Sequence, residues 1–141
     1  MPLYAWLTEA PGSPPPHWDE DAAANRLAAA AAPGSSCVLV AGPVGAVVGF
    51  CTVYLDLLSV RYGPRAWVED LAVAPPERSG GIGGRLLHAA GAWAGEHGAS
   101  HLELDPGLAR TDAHRFYERH APAWRSLCQG WDLTAEPAPG G

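Results

Sequence analysis

The chain has 141 residues, 48% of them apolar, and a formal net charge of −6. This length and apolar content can bury the core of a single domain spanning residues 1–141, and they argue against disorder. All nine cations are arginine and no basic run occurs, so we expect no nucleic acid and no membrane surface as a partner. No apolar run reaches the length of a membrane span, and no signal peptide is expected.

The cysteines indicate the compartment. Cys37, Cys51 and Cys128 are an odd number, and none belongs to a Cys-x-x-Cys pair. Cys37 and Cys51 fall in apolar, strand-like runs, which predicts buried free thiols. Free thiols are typical of a reducing environment, so we expect a cytoplasmic protein.

The first predicted element is a helix that follows an irregular segment. Residues 1–18 are rich in proline, and within them 3–7 is compatible with a short helix or a strand. Three acids at 19–21 precede an alanine-rich run that continues to Ala32 and stops at Pro33-Gly34. Acids at the start and a Pro-Gly stop predict a helix over this run.

Three strands are predicted next. The short β-branched run 37–41 and the longer run 46–58 are separated by the turn 42–45, which predicts an antiparallel hairpin. A second turn over 61–65 then leads to a third strand over 67–73. The first half of the domain is therefore predicted to be a meander.

The second half alternates helices and strands. Apolar residues recur at helical spacing over 82–97, and Gly98 supplies a stop. The elements predicted after it are a strand over 101–104, a short helix over 111–119, a last strand over 126–133 and a disordered Pro/Gly-rich tail over 135–141.

A glycine-rich turn lies between the third strand and the long helix. Four of the five positions from Gly80 to Gly84 are glycine. Such a turn leaves its backbone N–H groups open, and a helix start favours an anion. A Walker A loop is excluded because the chain has no lysine, and a Gly-x-Gly-x-x-Gly fingerprint is excluded because position 86 is Leu86. The alternative is a plain turn whose glycines serve tight packing.

Two segments resemble one known family. Arg78-x-x-Gly81-x-Gly83 resembles the acetyl-coenzyme A signature of the GNAT superfamily of N-acetyltransferases. The segment 113–117, Ala-His-Arg-Phe-Tyr, is similar to the Ala-x-x-Phe-Tyr hallmark of its late helix. The resemblance covers roughly residues 36–133. It implies an α/β fold with a mixed central sheet, in which the parallel strands 67–73 and 101–104 splay apart around the cofactor.

The resemblance also implies transfer of an acetyl group from acetyl-CoA to a primary amine by direct attack in a ternary complex. It places Glu69 as a base or water-holding acid, Asp70 as the partner that orients the amine, and Tyr117 as the general acid toward the sulfur. The alternative for Tyr117 is that it only hydrogen-bonds the sulfur or packs. A tyrosine is protonated at neutral pH, as an acid must be. On a regular strand Glu69 and Asp70 point to opposite faces. The alternative is that one of them pairs with Arg65 or Arg110.

Cofactor contacts are implied along the same strand and loop. The backbone of 71–73 is expected to bind the pantetheine arm, with the Leu71 N–H as an oxyanion donor. Arg78 and the N–H groups of 80–85 are expected to bind the pyrophosphate. The residues implied to bind coenzyme A are Leu71, Ala72, Val73, Arg78, Ser79, Gly80, Gly81, Ile82, Gly83, Gly84, Arg85 and Phe116.

The sequence is compatible with more than one kind of acceptor. The strand acids favour a cationic small amine such as a polyamine, an amino sugar or an aminoglycoside, with Asp105 as a second contact or merely a turn residue. A protein or peptide amine is an alternative, and so is a non-catalytic acyl-CoA-binding module, because few residues precede the first helix. The six histidines show no ligand spacing, so no metal is expected. A homodimer is plausible, since a missing first strand would open a sheet edge.

Overall fold

The computed structural model describes residues 4–6, 15, 17–105, 116–117, 119–120, 122–124, 126 and 128–133. Within them, four strands form one sheet in chain order: β1 (Ser36–Ala41), β2 (Gly49–Ser59), β3 (Gly63–Val73) and β4 (His101–Leu104). The pairs β1–β2 and β2–β3 are antiparallel, whereas β3–β4 is parallel. The sheet is therefore mixed, which confirms the expected α/β class.

In the described part of the chain two full helices accompany the sheet, α1 (Glu20–Ala31) and α2 (Ile82–Glu96), and a short 3₁₀ turn (Pro75–Glu77) follows β3. The chain between 4 and 6 is also helical. No described helix is both long enough and apolar enough to cross a bilayer. The helices predicted over the alanine-rich run and over 82–97 are confirmed.

The core lies between α2 and one face of the sheet. Leu86, Ala90 and Ala94 recur at helical spacing and pack against Val53 and Val68 of the central strands. Small residues on the helix let it approach the sheet closely. At Gly49 an added Cβ would lie 3.1 Å from Ile82 Cγ2 and 3.2 Å from Leu86 Cδ1. The long helix is thus fixed at its first turns, directly after the glycine-rich turn.

Three predictions about strands are wrong. β2 begins at Gly49 and not at residue 46, since residues 46–48 lie outside any strand. β3 begins at Gly63, four residues before the predicted start at Trp67. The chain turns tightly because Gly63 adopts a positive φ (+88°), so that Gly63 and Arg65 already pair with β2. The last strand predicted over 126–133 is absent, since Ser126 and residues 128–133 lie outside any strand. Alternating apolar residues made that segment look like a strand, but Trp131 is 78% exposed.

Other predictions fall partly or wholly outside the described residues. Of the helix predicted over 111–119, the described residues 116, 117 and 119 are helical. The tail 135–141 lies outside the described part of the chain. Among the cysteines, Cys51 is buried, Cys37 is half-buried and Cys128 is exposed, and all three are free thiols.

Candidate active site

A β-bulge interrupts β3 at its second acid. Thr52 of β2 pairs with Asp70, but the next residue, Val53, pairs with Val68. Glu69 is therefore the extra residue of the bulge. Two residues of β3 oppose one residue of β2 here, so the regular alternation of side chains along β3 is broken.

The bulge brings both acids to one side of the sheet. Asp70 lies opposite Thr52 and Trp67 lies opposite Tyr54, so these side chains point away from α2. Glu69 points the same way, because its Oε2 accepts a hydrogen bond of 2.7 Å from the Trp67 indole Nε1. The prediction that the two acids point to opposite faces is wrong, since it assumed a strand without a bulge.

Burial and the two acids raise the pKa values of two tyrosines on the same side of the sheet. Burial raises the pKa of Tyr4, and the hydrogen bond to Asp70 and the charges of Asp70 and Glu69 raise it further. Burial also raises the pKa of Tyr54, again with the charges of both acids adding to it. Each carboxylate therefore lies close enough to both hydroxyls to disfavour a phenolate.

The Asp70 carboxylate is held by two hydroxyl groups. Tyr4 Oη and Thr52 Oγ1 each donate to Asp70 Oδ2 at 2.7 Å, and Thr52 Oγ1 accepts from the Asp70 N–H at 3.0 Å. No motif in the sequence marks either partner. Thr52 could have been noticed as a polar residue between the apolar residues Cys51 and Val53, whereas Tyr4 is 66 residues away from Asp70 in sequence.

Arg65 does not pair with either acid of the bulge. Its Nε and NH2 donate to the two oxygens of Asp56 at 3.0 and 2.8 Å, and its NH1 donates to Glu103 Oε2 at 3.2 Å. The alternative in which Arg65 neutralises Glu69 or Asp70 is therefore wrong. Arg110 lies outside the described residues.

One edge of β3 beyond the bulge has no strand beside it in the described structure. Pairing with β4 ends where Val68 meets Leu104. Ala74 N donates to Val48 O on the β2 side, and backbone groups alternate between edges with a period of two. The N–H groups of Leu71 and Val73 therefore point to the open edge. The same alternation turns the backbone of Ala72 toward β2.

The open edge leads into the glycine-rich turn. Gly81 has φ +84° and is the N-cap of α2, with no side-chain cap hydrogen bond and no acid in the first turn. Ser79 has a positive φ of 71°. The first N–H groups of α2 consequently face outward without a side-chain partner, which is the arrangement that favours a bound anion.

Two of the four glycines have a packing role. A Cβ on Gly83 would lie 3.1 Å from the ring of Phe116, and one on Gly84 would lie 3.0 Å from the ring of His120. The absence of side chains lets the segment around Phe116 approach the start of α2. The packing interpretation therefore applies to Gly83 and Gly84, while Gly81 meets a conformational requirement.

Arg78 is close to the open edge. Its Nε donates to Val73 O at 3.0 Å, and its NH2 donates to Trp6 O at 3.5 Å. The guanidinium thus lies between the end of β3, the glycine turn and the helical segment 4–6. Arg85, the other arginine of this region, is exposed in the first turn of α2.

Two further predicted site residues, Tyr117 and Asp105, lie in the C-terminal third of the chain. Tyr117 is half-buried, and its ring meets Phe116 edge to face with centroids 5.0 Å apart. Asp105 follows β4 and contacts Cys128, where its charge raises the pKa of the exposed thiol, together with a smaller contribution from Glu69. No pattern in the sequence connects Cys128 with this region. The described residues include no cluster of three or more His, Cys, Asp or Glu suited to a metal ion.

A cavity of about 690 Å³ lies elsewhere, between β1 and the start of α2. Leu39, Val48 and Leu86 are among its apolar lining residues, and Arg85 also reaches it. Neither Glu69 nor Asp70 lines it. We therefore place the candidate active site at the bulge and the open edge of β3, where the acids and the free backbone donors meet.

Comparison with known proteins identifies the family. A family model described as the acetyltransferase (GNAT) family matches residues 2–121. The chain belongs to the GNAT acetyltransferase family. The match includes the bulge, the open edge and the glycine turn, and it confirms the resemblance inferred from the two sequence motifs.

Curated GNAT relatives match part of the chain. An uncharacterized N-acetyltransferase of Bacillus subtilis (strain 168), YhdJ, is 43% identical over 63 residues, which are 45% of this chain and 44% of the relative. The aminoalkylphosphonate N-acetyltransferase of Salmonella typhimurium (strain LT2) is 37% identical over 79 residues, 53% of this chain and 49% of the relative. The chain spans about half the length of the curated relatives it matches.

Solved structures share the GNAT fold. An aminoglycoside acetyltransferase from an uncultured soil metagenomic sample, in complex with trehalose, has a TM-score of 0.73 at 22% identity, covering 96% of this chain and 85% of that one. AAC(6')-Iy, in complex with the bisubstrate analog CoA-S-monomethyl-acetylneamine, has a TM-score of 0.70 at 17% identity over 83% of each chain. A ribosomal-protein-alanine N-acetyltransferase from Brucella melitensis biovar Abortus 2308 has a TM-score of 0.67 at 26% identity, covering 92% of this chain and 89% of that one.

Proposed function

We propose that this chain transfers an acetyl group from acetyl-CoA to a primary amine of a small molecule. The observation that carries the proposal is the bulge of β3. It places Glu69 and Asp70 on one side of the sheet, immediately before the open edge at Leu71 and Val73. Acid groups for the amine and backbone donors for the acetyl donor are then neighbours on one strand.

The open edge and the glycine turn fit coenzyme A. Leu71 and Val73 offer N–H groups along an unpaired edge, which suits an extended amide-containing arm. The uncapped start of α2 after Gly81 suits a pyrophosphate, and Arg78 and Arg85 add positive charge beside it. When bound, acetyl-CoA would supply the acetyl group as a thioester.

The side chains at the bulge provide acid–base chemistry. We assign Glu69 as the base that takes a proton from the acceptor ammonium, directly or through water, because an ammonium has no lone pair for attack. Its carboxylate is oriented by the Trp67 indole. Tyr117 is assigned as the acid that gives a proton to the leaving sulfur. The Leu71 N–H is assigned to the acetyl carbonyl oxygen, where a single donor typically contributes about 3–4 kcal/mol.

The charge of the site favours a cationic acceptor. Asp70 and Glu69 form no salt bridge with a described arginine or histidine, since Arg65 is taken by Asp56 and Glu103. A bound ammonium would neutralise this pair of acids. Names of similar proteins point the same way, because they include aminoglycoside and aminoalkylphosphonate acetyltransferases.

A protein amine is the second candidate. The Brucella structure is that of a ribosomal-protein-alanine N-acetyltransferase, and the likeness covers most of both chains. An exposed acid such as Glu69 could equally meet the N-terminus of a peptide. The two candidates differ in the size of the acceptor, which a substrate panel separates directly.

The coenzyme site is tested by calorimetric titration with acetyl-CoA. We expect binding to the wild type and a loss of at least tenfold in affinity in Arg85→Glu, which places an acid in the first turn of α2. Arg26→Glu is the matched control, because Arg26 is exposed on α1 and the charge change is identical. Equal binding by both variants would show that the glycine turn does not hold the pyrophosphate.

The reaction is tested by thiol release from acetyl-CoA with a panel of a polyamine, an aminoglycoside, an aminoalkylphosphonate and an alanine-terminated peptide. We expect release with a small amine and a fall in kcat of about 10²-fold or more in Glu69→Gln. Release with the peptide alone would support the second candidate. Binding of acetyl-CoA without release for any acceptor would indicate a non-catalytic acyl-CoA-binding module.

A further inference from the structure

The carboxylate of Asp70 is fixed from two directions by elements far apart in sequence. Tyr4 belongs to the helical segment 4–6, and Thr52 belongs to the central strand β2. Their hydroxyl groups converge on one oxygen, Oδ2, at 2.7 Å each. Two donors on the same oxygen set the plane of the carboxylate as well as its position.

The hydroxyl of Thr52 is fully used by its two hydrogen bonds to Asp70. Its side chain is fully buried, and Oγ1 accepts the Asp70 N–H at 3.0 Å. The single hydrogen of the hydroxyl is then left to point at Oδ2. Thr52 and Asp70 are consequently joined by a reciprocal pair of hydrogen bonds across the bulge.

Tyr4 is anchored by aromatic neighbours. Its ring lies 5.1 Å from that of Phe50 and 5.9 Å from that of Trp18, measured between centroids. The Phe50 side chain is fully buried on β2. The hydroxyl of Tyr4 is therefore delivered to Asp70 by a packed ring, and not by a side chain that is free to rotate into solvent.

The other oxygen of Asp70 is left available. No described residue donates to Oδ1, since every hydrogen bond of the carboxylate ends on Oδ2. Among the described residues no buried side-chain oxygen or nitrogen lacks a hydrogen-bond partner, so Oδ1 lies in accessible space. The carboxylate carries a charge that no described cation neutralises, beside Glu69.

We propose that Tyr4 and Thr52 are positioning residues that present Oδ1 of Asp70 to the ammonium group of the acceptor amine. The proposal rests on the proposed function and assigns to Asp70 the binding of the acceptor before its proton passes to Glu69. The two hydroxyls hold the carboxylate in place while the acceptor enters. Their effect falls on acceptor binding, whereas the bond-making step depends on other groups.

Steady-state kinetics with the best small amine of the panel test the proposal. We expect Tyr4→Phe and Thr52→Val each to raise the KM for the amine by about tenfold, near the lower end of what a hydrogen bond to a charged group contributes. The kcat and the KM for acetyl-CoA should stay within twofold of the wild type. Thr52→Ser should restore the amine KM, because it returns the hydroxyl. Tyr62→Phe, which removes a hydroxyl from an exposed ring, is the matched control.

Two kinetic outcomes would overturn the proposal. An unchanged amine KM in both Tyr4→Phe and Thr52→Val would show that the hydroxyls do not affect acceptor binding. A loss confined to kcat would place Asp70 in the chemical step. Circular dichroism and an acetyl-CoA titration establish that each variant is folded before its kinetics are compared.

Calorimetry with the polyamine and the aminoglycoside separates this proposal from the proposed function. If the wild type releases no thiol yet binds an amine more tightly than Tyr4→Phe does, the positioning role stands and the transferase function falls. If no amine binds, or if wild type and Tyr4→Phe bind equally, the positioning role is overturned. Asp70→Asn completes the series and should weaken amine binding at least as much as Tyr4→Phe.

Discussion

The ring of Phe116 occupies the space that a side chain at Gly83 would need. An added Cβ at that position would lie 3.1 Å from two carbons of the ring. The contact joins the two motifs that carry the family resemblance, since Gly83 belongs to the glycine turn and Phe116 to the Phe-Tyr segment. Gly83, which the sequence motif assigns to phosphate binding, therefore also lets the segment around Phe116 pack against α2.

Gly83→Ala should destabilise the protein relative to Gly91→Ala. Both glycines lie in α2, but an added Cβ at Gly91 meets nothing within 4 Å. Gly91→Ala is expected to raise the free energy of unfolding by about 0.5–1 kcal/mol through helix propensity. The free energy of unfolding of Gly83→Ala should be about 1–3 kcal/mol lower than that of Gly91→Ala, because the Phe116 ring must move. Urea unfolding measures both, and equal stabilities would mean that Phe116 yields without cost.

Asp19 should stabilise α1 as its N-cap. Its Oδ1 accepts from the backbone N–H groups of Asp21 and Ala22 at 3.0 and 3.2 Å. Asp19→Ala is expected to lower the free energy of unfolding by about 1 kcal/mol. Asp19→Asn keeps the acceptor oxygen and should lose much less. A result in which alanine and asparagine are equally damaging would show that charge, and not the capping bond, matters at this position.

The stability conferred by Tyr4 should depend on pH above about 10. Burial, the hydrogen bond to Asp70 and the nearby acids raise the pKa of Tyr4 in the folded state, while the unfolded value is about 10. Above that value the unfolded chain releases a proton that the folded chain retains, so the free energy of unfolding falls as pH rises. The contribution is complete below pH about 10 and is lost toward the folded pKa.

Tyr4→Phe isolates this effect, because the raised pKa values of Tyr54 and Cys51 are common to both proteins. The difference in unfolding free energy between the wild type and Tyr4→Phe should be constant from pH 7 to about 10 and should shrink above it. Chemical unfolding at a series of pH values provides the measurement. A difference that stays constant to pH 11 would contradict the burial of the Tyr4 hydroxyl against Asp70.

Arg65 should link β2, β3 and β4 through its planar guanidinium. It contacts both oxygens of Asp56 and one of Glu103, and the three side chains are only about a quarter exposed. Arg65→Lys cannot reproduce the bidentate contact and should cost about 0.5–1 kcal/mol. The loss should diminish in 1 M salt. Arg26→Lys, on the exposed side of α1, should be neutral. The Arg65 guanidinium also lies over the Trp67 ring, 5.0 Å from its centroid, so a salt-independent loss would point to this contact instead.

Local sequence determined the helices and most strands. Asp19 and the alanine run predict α1, and the glycine stop at Gly98 predicts the end of α2, because caps and stops act within a few residues. The start of β3 and the segment 126–133 were predicted wrongly. The first depends on a tight turn at Gly63, and the second depends on a partner strand that the apolar alternation of the segment does not supply.

The sequence also determined which residues make up much of the candidate site. Glu69, Asp70, Gly81 and Arg78 are found by their order along the chain, since a strand, a glycine turn and a helix start are contiguous features. Only the tertiary structure decided how they are arranged. The bulge at Glu69 exists because β2 pairs with β3 out of step there, and no local pattern marks an extra residue in a strand.

The partners of Asp70 were likewise decided by the tertiary structure alone. Tyr4 reaches the carboxylate from 66 residues away and Thr52 from 18. Such contacts depend on how the segment 4–6 packs on Phe50 and on the register between β2 and β3. The sequence by itself determined the family, the order of the elements from α1 to β4 and the acids of the candidate site. Packing and register decided that both acids share one side and that two hydroxyls hold one of them, because hydrogen bonds between distant segments follow from the assembled sheet.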